Sequence, residues 1–156
     1  MSDRQLPWDC DWIVKKTICA IRLPAQEDVE QLARLGITLM VTVAVEKYAD
    51  PVRQWCVDAG MRHLRYDVED MEPPEVDQIR DFVGETQYEL ERQGKVAVHC
   101  LGGIGRTGTM IAGYLVAQGK SHRGAIDHVR RQRPGSIQTI GQEIAIARFA
   151  TEIQAK

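Results

Sequence analysis

Val96-Ala97-Val98-His99-Cys100-Leu101-Gly102-Gly103-Ile104-Gly105-Arg106-Thr107-Gly108-Thr109 is the stretch on which the reading of this chain turns. Val96–His99 is a short apolar strand, a glycine loop follows, and a helix is predicted from about Arg106 to Gln118. Where a glycine loop opens a helix, successive backbone N–H groups can face one oxyanion, and the helix dipole adds positive potential. Gly102, Gly103 and Gly105 permit positive φ and keep side chains out of that cradle. Arg106 brings a planar fork that fits two oxygens of a phosphate. Cys100 opens the loop, where amides, dipole and guanidinium all favour the thiolate, the nucleophilic form. A thiolate below a phosphate with an arginine opposite it suits phosphoryl transfer. Thr107 is placed to donate its hydroxyl to the sulfur as that sulfur leaves.

The chain carries its own control. Cys56-Val-Asp-Ala-Gly-Met-Arg62 repeats the C-x5-R spacing. There Asp58 repels an anion, a single glycine is present, and His63 replaces the hydroxyl residue. The segment also falls in a predicted helix and its end rather than after a strand. Cys56 reads as core and Arg62 as surface. A second pattern, Gly103-Ile104-Gly105-Arg106-Thr107-Gly108, matches the G-x-G-x-x-G of dinucleotide-binding loops. That motif expects an acid about 20 residues on, at the end of a strand. Ala125–Val129 reads as helix instead, so the nucleotide reading is set aside.

Around the loop, strands alternate with helices. Ile13–Leu23 is β-rich and stops at Pro24; Gln26–Leu35 is a helix with Glu27 and Asp28 in its first turn and Gly36 beyond its end. Thr38–Val45 is a nearly continuous apolar run, the signature of a strand buried on both faces. A short helix over Pro51–Ala59, a strand over Arg62–Val68 and a long helix over Glu75–Gln93 follow, with helices over Ser121–Gln132 and Thr139–Ala155 closing the chain. This order predicts an α/β fold with a mostly parallel central sheet flanked by helices. No repeat, linker or low-complexity tract interrupts residues 1–156, which read as a single domain.

A net charge of −2 gives no global field to recruit nucleic acid or an acidic membrane surface, so any anion chemistry is local. No run approaches membrane-spanning length, and Met1–Asp11 lacks the apolar core of a signal peptide. Cys10, Cys19, Cys56 and Cys100 are scattered without a C-x-x-C pair, which suits a reducing cytoplasm. A cytoplasmic monomer is expected.

At His99-Cys100-x5-Arg106-Thr107 the sequence resembles the protein tyrosine phosphatase superfamily, in particular small dual-specificity phosphatases and compact archaeal tyrosine phosphatases. The likeness extends through Leu23-Pro24, Leu35-Gly36-Ile37, Asp70-Met71-Glu72-Pro73-Pro74, Gly108-Thr109-Met110, Gly113-Tyr114-Leu115 and Arg133-Pro134-Gly135-Ser136-Ile137-Gln138-Thr139, with Gln142-Glu143 beyond, about residues 10 to 150. The resemblance implies a cysteine-phosphatase fold with a C-x5-R phosphate loop. By position it implies that Cys100 attacks phosphorus, Arg106 clamps the phosphate, and Asp70 protonates the leaving oxygen and then deprotonates water. Gln138 would position that water and His99 would orient the loop. Leu101, Gly102, Gly103, Ile104, Gly105 and Arg106 would bind the phosphate. No metal or organic cofactor is implied.

Asp67, Glu69, Asp70 and Glu72 crowd together, and one of them must reach the leaving oxygen. The family pattern favours Asp70, although Glu69 stands where relatives have proline and no tryptophan precedes it. Arg130, Arg131 and Arg133 form a basic cluster that reads as a solvated helix end, or as one arginine bordering the site. Trp8, Trp12 and Trp55 read as packing residues, Tyr48 as a candidate pocket flank, and His63, His122 and His128 as structural or surface groups. The uncharged loop residues Leu101–Gly105 favour phosphoproteins or aryl phosphates over inositol phosphates or RNA 5′-phosphates. A non-catalytic phosphate-binding module would normally have lost one of Cys100, Arg106 or the acid. A redox protein would need a second cysteine close to Cys100 in space.

Overall fold

The computed structural model describes residues 5–154, so Asp3, Arg4 and the predicted end of the last helix at Ala155 lie outside the described residues. The chain forms a five-stranded sheet with the order β1-β2-β5-β3-β4. Its strands are β1 (Cys10–Val14), β2 (Ile18–Ile21), β3 (Leu39–Val43), β4 (Arg62–Tyr66) and β5 (Val96–His99). Only β1 runs antiparallel; β2, β5, β3 and β4 pair in parallel. The fold is therefore the mixed α/β architecture expected. The β-rich stretch Ile13–Leu23 holds the end of β1 and all of β2, a hairpin turned at Lys15–Thr17 with Lys16 at φ 58°. The break follows from the polar Lys15-Lys16 pair, which cannot continue a buried strand.

The helices are α1 (Gln26–Arg34), α2 (Pro51–Asp58), α3 (Val76–Glu91), α4 (Gly105–Ala117), α5 (His122–Gln132) and α6 (Ile140–Gln154). A 3-10 turn at Lys47–Ala49 precedes α2. Strand side chains alternate between two cores with period two. Ile18 and Ala20, Leu39, Val41 and Val43, and Val96 and Val98 face a large core closed by α3, α4, α5 and α6. Cys19 and Ile21, Met40 and Ala97 face a smaller one under α1 and α2. Both faces are covered, which is why Leu39–Val43 is fully buried.

Because β5 is inserted between β2 and β3, the loop after it is flanked by the loops that leave β2, β3 and β4. A crevice at the carboxyl ends of parallel strands, where connections diverge, is the general ligand site of open α/β sheets. Helix α4 begins there, buried from Gly105 to Val116.

Candidate active site

The peptides of the loop after β5 have their carbonyls taken up from outside. Cys100 O accepts from His99 Nδ1 at 2.9 Å and Leu101 O from Leu23 N at 2.7 Å. Gly102 O and Gly103 O accept from Arg133, at 3.0 Å from Nη2 and 2.8 Å from Nε. Ile104 O accepts from Ile137 N at 3.0 Å. In a trans peptide the N–H points opposite to the C=O. Five carbonyls held outward thus turn the amides of Leu101 to Gly105 toward the inside of the loop, the arrangement of an anion nest. Gly103 has φ +72°, and a Cβ there would lie 2.3 Å from the Ile21 carbonyl oxygen. Only glycine lets the loop pass so close to β2.

Arg106 is 1% exposed and its guanidinium is divided between two tasks. Nη1 donates to Glu46 Oε1 and to Val68 O, each at 2.9 Å. Nε and Nη2 are buried and have no hydrogen-bond partner. Asp70 Oδ1 stands 3.3 Å from Nη2 as an ion-pair neighbour. A guanidinium edge left buried and unbonded is costly, about 1–3 kcal/mol for each donor or more for a charged group. Two parallel donors on one edge are the geometry that accepts two oxygens of a phosphate. Burial pushes the Glu46 carboxyl up, but the hydrogen bond from Arg106, local backbone N–H groups and Coulomb attraction outweigh it and hold the carboxyl below its usual range. Glu46 is therefore an anion that fixes Arg106.

Behind Cys100 runs a relay of neutral groups. Burial lowers His99 to about 4, and burial with nearby arginines lowers His63 to about 4. Cys100 O can only accept, so His99 Nδ1 carries the proton and Nε2 is the acceptor. Thr42 Oγ1, 2.7 Å away, gives its one proton to His99 Nε2. His63 Nε2, 2.8 Å from Thr42 Oγ1, must then be the donor. The register pairs Thr42 with His99 on adjacent strands, so the sheet itself sets this contact.

Asp70 leaves β4 on an exposed turn, next to Met71 at φ 68°. The Asp67 side chain is 78% exposed, with Arg65 Nε 3.8 Å from its Oδ1, and its carbonyl accepts from Gln78 Nε2 at 3.1 Å. Gln138 lies against the loop: a Cβ on Gly105 would fall 2.3 Å from Gln138 Oε1. Gln142 is fully buried, and its Oε1 accepts from Gln138 N at 2.7 Å and Thr139 N at 3.2 Å. Its Nε2 donates to Glu72 O at 3.3 Å, so one carboxamide joins the turn bearing Asp70 to the segment bearing Gln138. Thr107 Oγ1 is buried at the start of α4 and has no hydrogen-bond partner.

The basic cluster divides by burial. Arg133, 4% exposed, reaches the loop from behind and is itself held by Asp9 at 3.1 Å and Asp11 at 2.9 Å. Arg130 fixes Ser136 O and Ile137 O, bracketing Ile137 at its left-handed φ of 62° just before Gln138. Arg131 is exposed. Trp8 is a correction to the packing reading: it is 77% exposed, with Arg22 stacked 4.7 Å from its ring. Burial pushes the Cys56 thiol up to about 12, which leaves it a protonated core residue. Glu46 and Thr42 were not legible as site residues. A single glutamate after a strand has no signature until the fold sets it against Arg106.

Comparison with known proteins identifies the family. Residues 7–146 match the family model described as the Swiss Army Knife protein DSP-PTPase phosphatase domain. The chain belongs to this family of dual-specificity and tyrosine phosphatase domains. Protein tyrosine phosphatase domain-containing protein 1 of Mus musculus is 40% identical over 94 residues, 60% of this chain and 12% of that protein. Tyrosine-protein phosphatase CDC14 of Saccharomyces cerevisiae is 37% identical over 81 residues, 51% of this chain and 15% of that protein. The chain thus spans about an eighth of the length of these relatives. The crystal structure of Tk-PTP in the active form is 29% identical, covers 93% of this chain and 99% of its own, and superposes with a TM-score of 0.83. Among the described residues, no helix is long and apolar enough to cross a membrane.

Proposed function

We propose that this chain hydrolyses phosphate monoesters of proteins, phosphotyrosine first and phosphoserine or phosphothreonine as well, through a cysteinyl-phosphate intermediate. The observation that carries this reading is the buried Nε–Nη2 edge of Arg106, without a hydrogen-bond partner at the start of the helix that follows the amide-lined loop opened by Cys100. The Cys100 thiolate attacks phosphorus, the S–P bond forms, and the P–O bond to the leaving group breaks. The leaving oxygen takes a proton from the Asp70 carboxyl. Water, positioned by Gln138, then attacks phosphorus and gives its proton to the Asp70 carboxylate while the S–P bond breaks. Inorganic phosphate and the thiolate result, with Thr107 rotating to donate to the departing sulfur. Amides of Leu101 to Gly105 and the Arg106 fork stabilise the equatorial oxygens throughout.

One sheet with both faces covered supports reading the phosphatase unit as a single domain. Four free cysteines fit a reducing cytoplasm. The uncharged loop favours an aryl or alkyl phosphoprotein over a polyanionic substrate. The test is hydrolysis of para-nitrophenyl phosphate in EDTA by wild type and Cys100→Ser. Activity that needs no metal, is blocked by vanadate and is lost in the variant is expected. Inactivity of both proteins would return the site to a phosphate-binding module.

A further inference from the structure

Nine large hydrophobic side chains are exposed among the described residues, and six of them lie on the phosphate loop or on segments that also carry site residues. Leu101 belongs to the loop itself. Val45 and Tyr48 flank Glu46, which bonds Arg106. Met71 follows Asp70, Ile140 lies two residues after Gln138, and Ile144 is one helical turn further along α6. Exposed apolar surface gathered in one place marks a binding surface, whereas scattered single residues do not. Past Ile140 the collar opens into a cleft of about 390 Å³ between α3 and α6, lined by Val76, Ile144, Ala147, Arg148, Thr151 and Glu152.

The same rim is acidic. Asp67, Glu69 and Glu72 are exposed on the β4–α3 connection, against Lys47 on the β3–α2 side. An anionic lipid surface is repelled by such a rim. An extended peptide with apolar and basic residues is matched by it.

We infer that this surface is a specificity site for a phosphopeptide, with the cleft at Val76 and Ile144 taking an apolar side chain that flanks the phosphorylated one. Helical rise sets Ile144 about 6 Å beyond Ile140, a step that about two residues of extended chain span. The inference rests on the phosphatase reading and names the substrate class of that site. Apolar side chains at the flank gain burial in the cleft, while acidic ones forgo it, since Arg148 and Glu152 together leave the cleft without net charge.

The experiment is a panel of phosphotyrosine peptides carrying Leu, Lys or Glu at each position from two to four residues before or after the phosphotyrosine. The expected result is a kcat/KM at least about tenfold higher for Leu than for Glu on one side, from the burial of one aliphatic side chain. Ile144→Ser, at a position already 44% exposed, is expected to reduce that ratio to under about threefold. The panel is also read as Kd on Cys100→Ser, so the flank effect is measured even in a protein without turnover. Equal values for Leu and Glu in both readouts overturn the inference while para-nitrophenyl phosphate hydrolysis leaves the phosphatase reading standing. Faster hydrolysis of a phosphatidylinositol phosphate in phosphatidylserine vesicles than of any peptide, lost in Ile144→Ser, overturns it in favour of a membrane-facing collar.

Discussion

Glu46 Oε1 accepts a hydrogen bond from Arg106 Nη1 at 2.9 Å, and through it the loop after β3 decides which edge of the guanidinium faces the phosphate loop. With Val68 O on the same nitrogen, the Nε–Nη2 edge is the one left for an oxyanion. Glu46→Gln keeps an acceptor but removes the charge. A fall of about tenfold in kcat/KM on para-nitrophenyl phosphate is expected, and Glu46→Ala should lose more, since removing one partner of a buried pair costs about 3–5 kcal/mol. Unchanged kinetics in both variants would mean that Arg106 is held by Val68 O alone.

Asp70 is proposed as the acid, and it lies 3.3 Å from Arg106 while Asp67 points to solvent. Asp70→Asn should slow an alkyl or phenyl phosphate by at least about 100-fold and para-nitrophenyl phosphate much less, because nitrophenolate leaves without a proton. Equal losses on both esters would shift the role to Glu69 or Glu72.

Arg133 anchors two loop carbonyls from behind, with no contact to the front of the loop in its hydrogen bonds. Arg133→Met would free Gly102 O and Gly103 O and leave Asp9 and Asp11 without their cation. A raised KM for para-nitrophenyl phosphate together with a melting temperature lower by several degrees is expected. Arg133→Lys should not restore either, since a point charge cannot bridge both carbonyls.

His99 and His63 are neutral in the fold because burial lowers both to about 4 from 6.5. Between those values the unfolded chain binds more protons than the folded one, so stability falls as pH drops. It is intact above pH 6.5, declines through the window and levels off below about 4. For His99 the loss is on the order of 3 kcal/mol. Urea midpoints across that range should show the decline, and His99→Asn should flatten it at the cost of a lower plateau. A flat wild-type profile would contradict the neutral relay through Thr42.

The segment Val96–Thr109 was legible because its chemistry is local. A strand, three glycines and an arginine at fixed spacing determine an amide cradle with a fork, wherever the rest of the chain goes. The long apolar run at β3 and the helix periodicities likewise sufficed for an α/β fold with a mostly parallel sheet. The hairpin at Lys15–Thr17 was not legible, because β propensity marks extended chain without marking where two short strands part.

Other features belong to the tertiary structure. Glu46 lies 60 residues from Arg106, and Arg133 lies 30 residues from Gly103. Hydrogen bonds and ion pairs across such gaps carry no spacing rule. They exist because β5 is inserted between β2 and β3, which brings separate loops to one sheet end. The neutral state of His99 came chiefly from burial, and its contact with Thr42 from strand register, neither of which a residue type encodes. What the amino-acid order determined by itself was the local cradle and the kinds of element around it. Which carboxylate fixes the arginine, which arginine fixes the loop, and which apolar side chains stay outside were decided by the packing of those elements on the sheet.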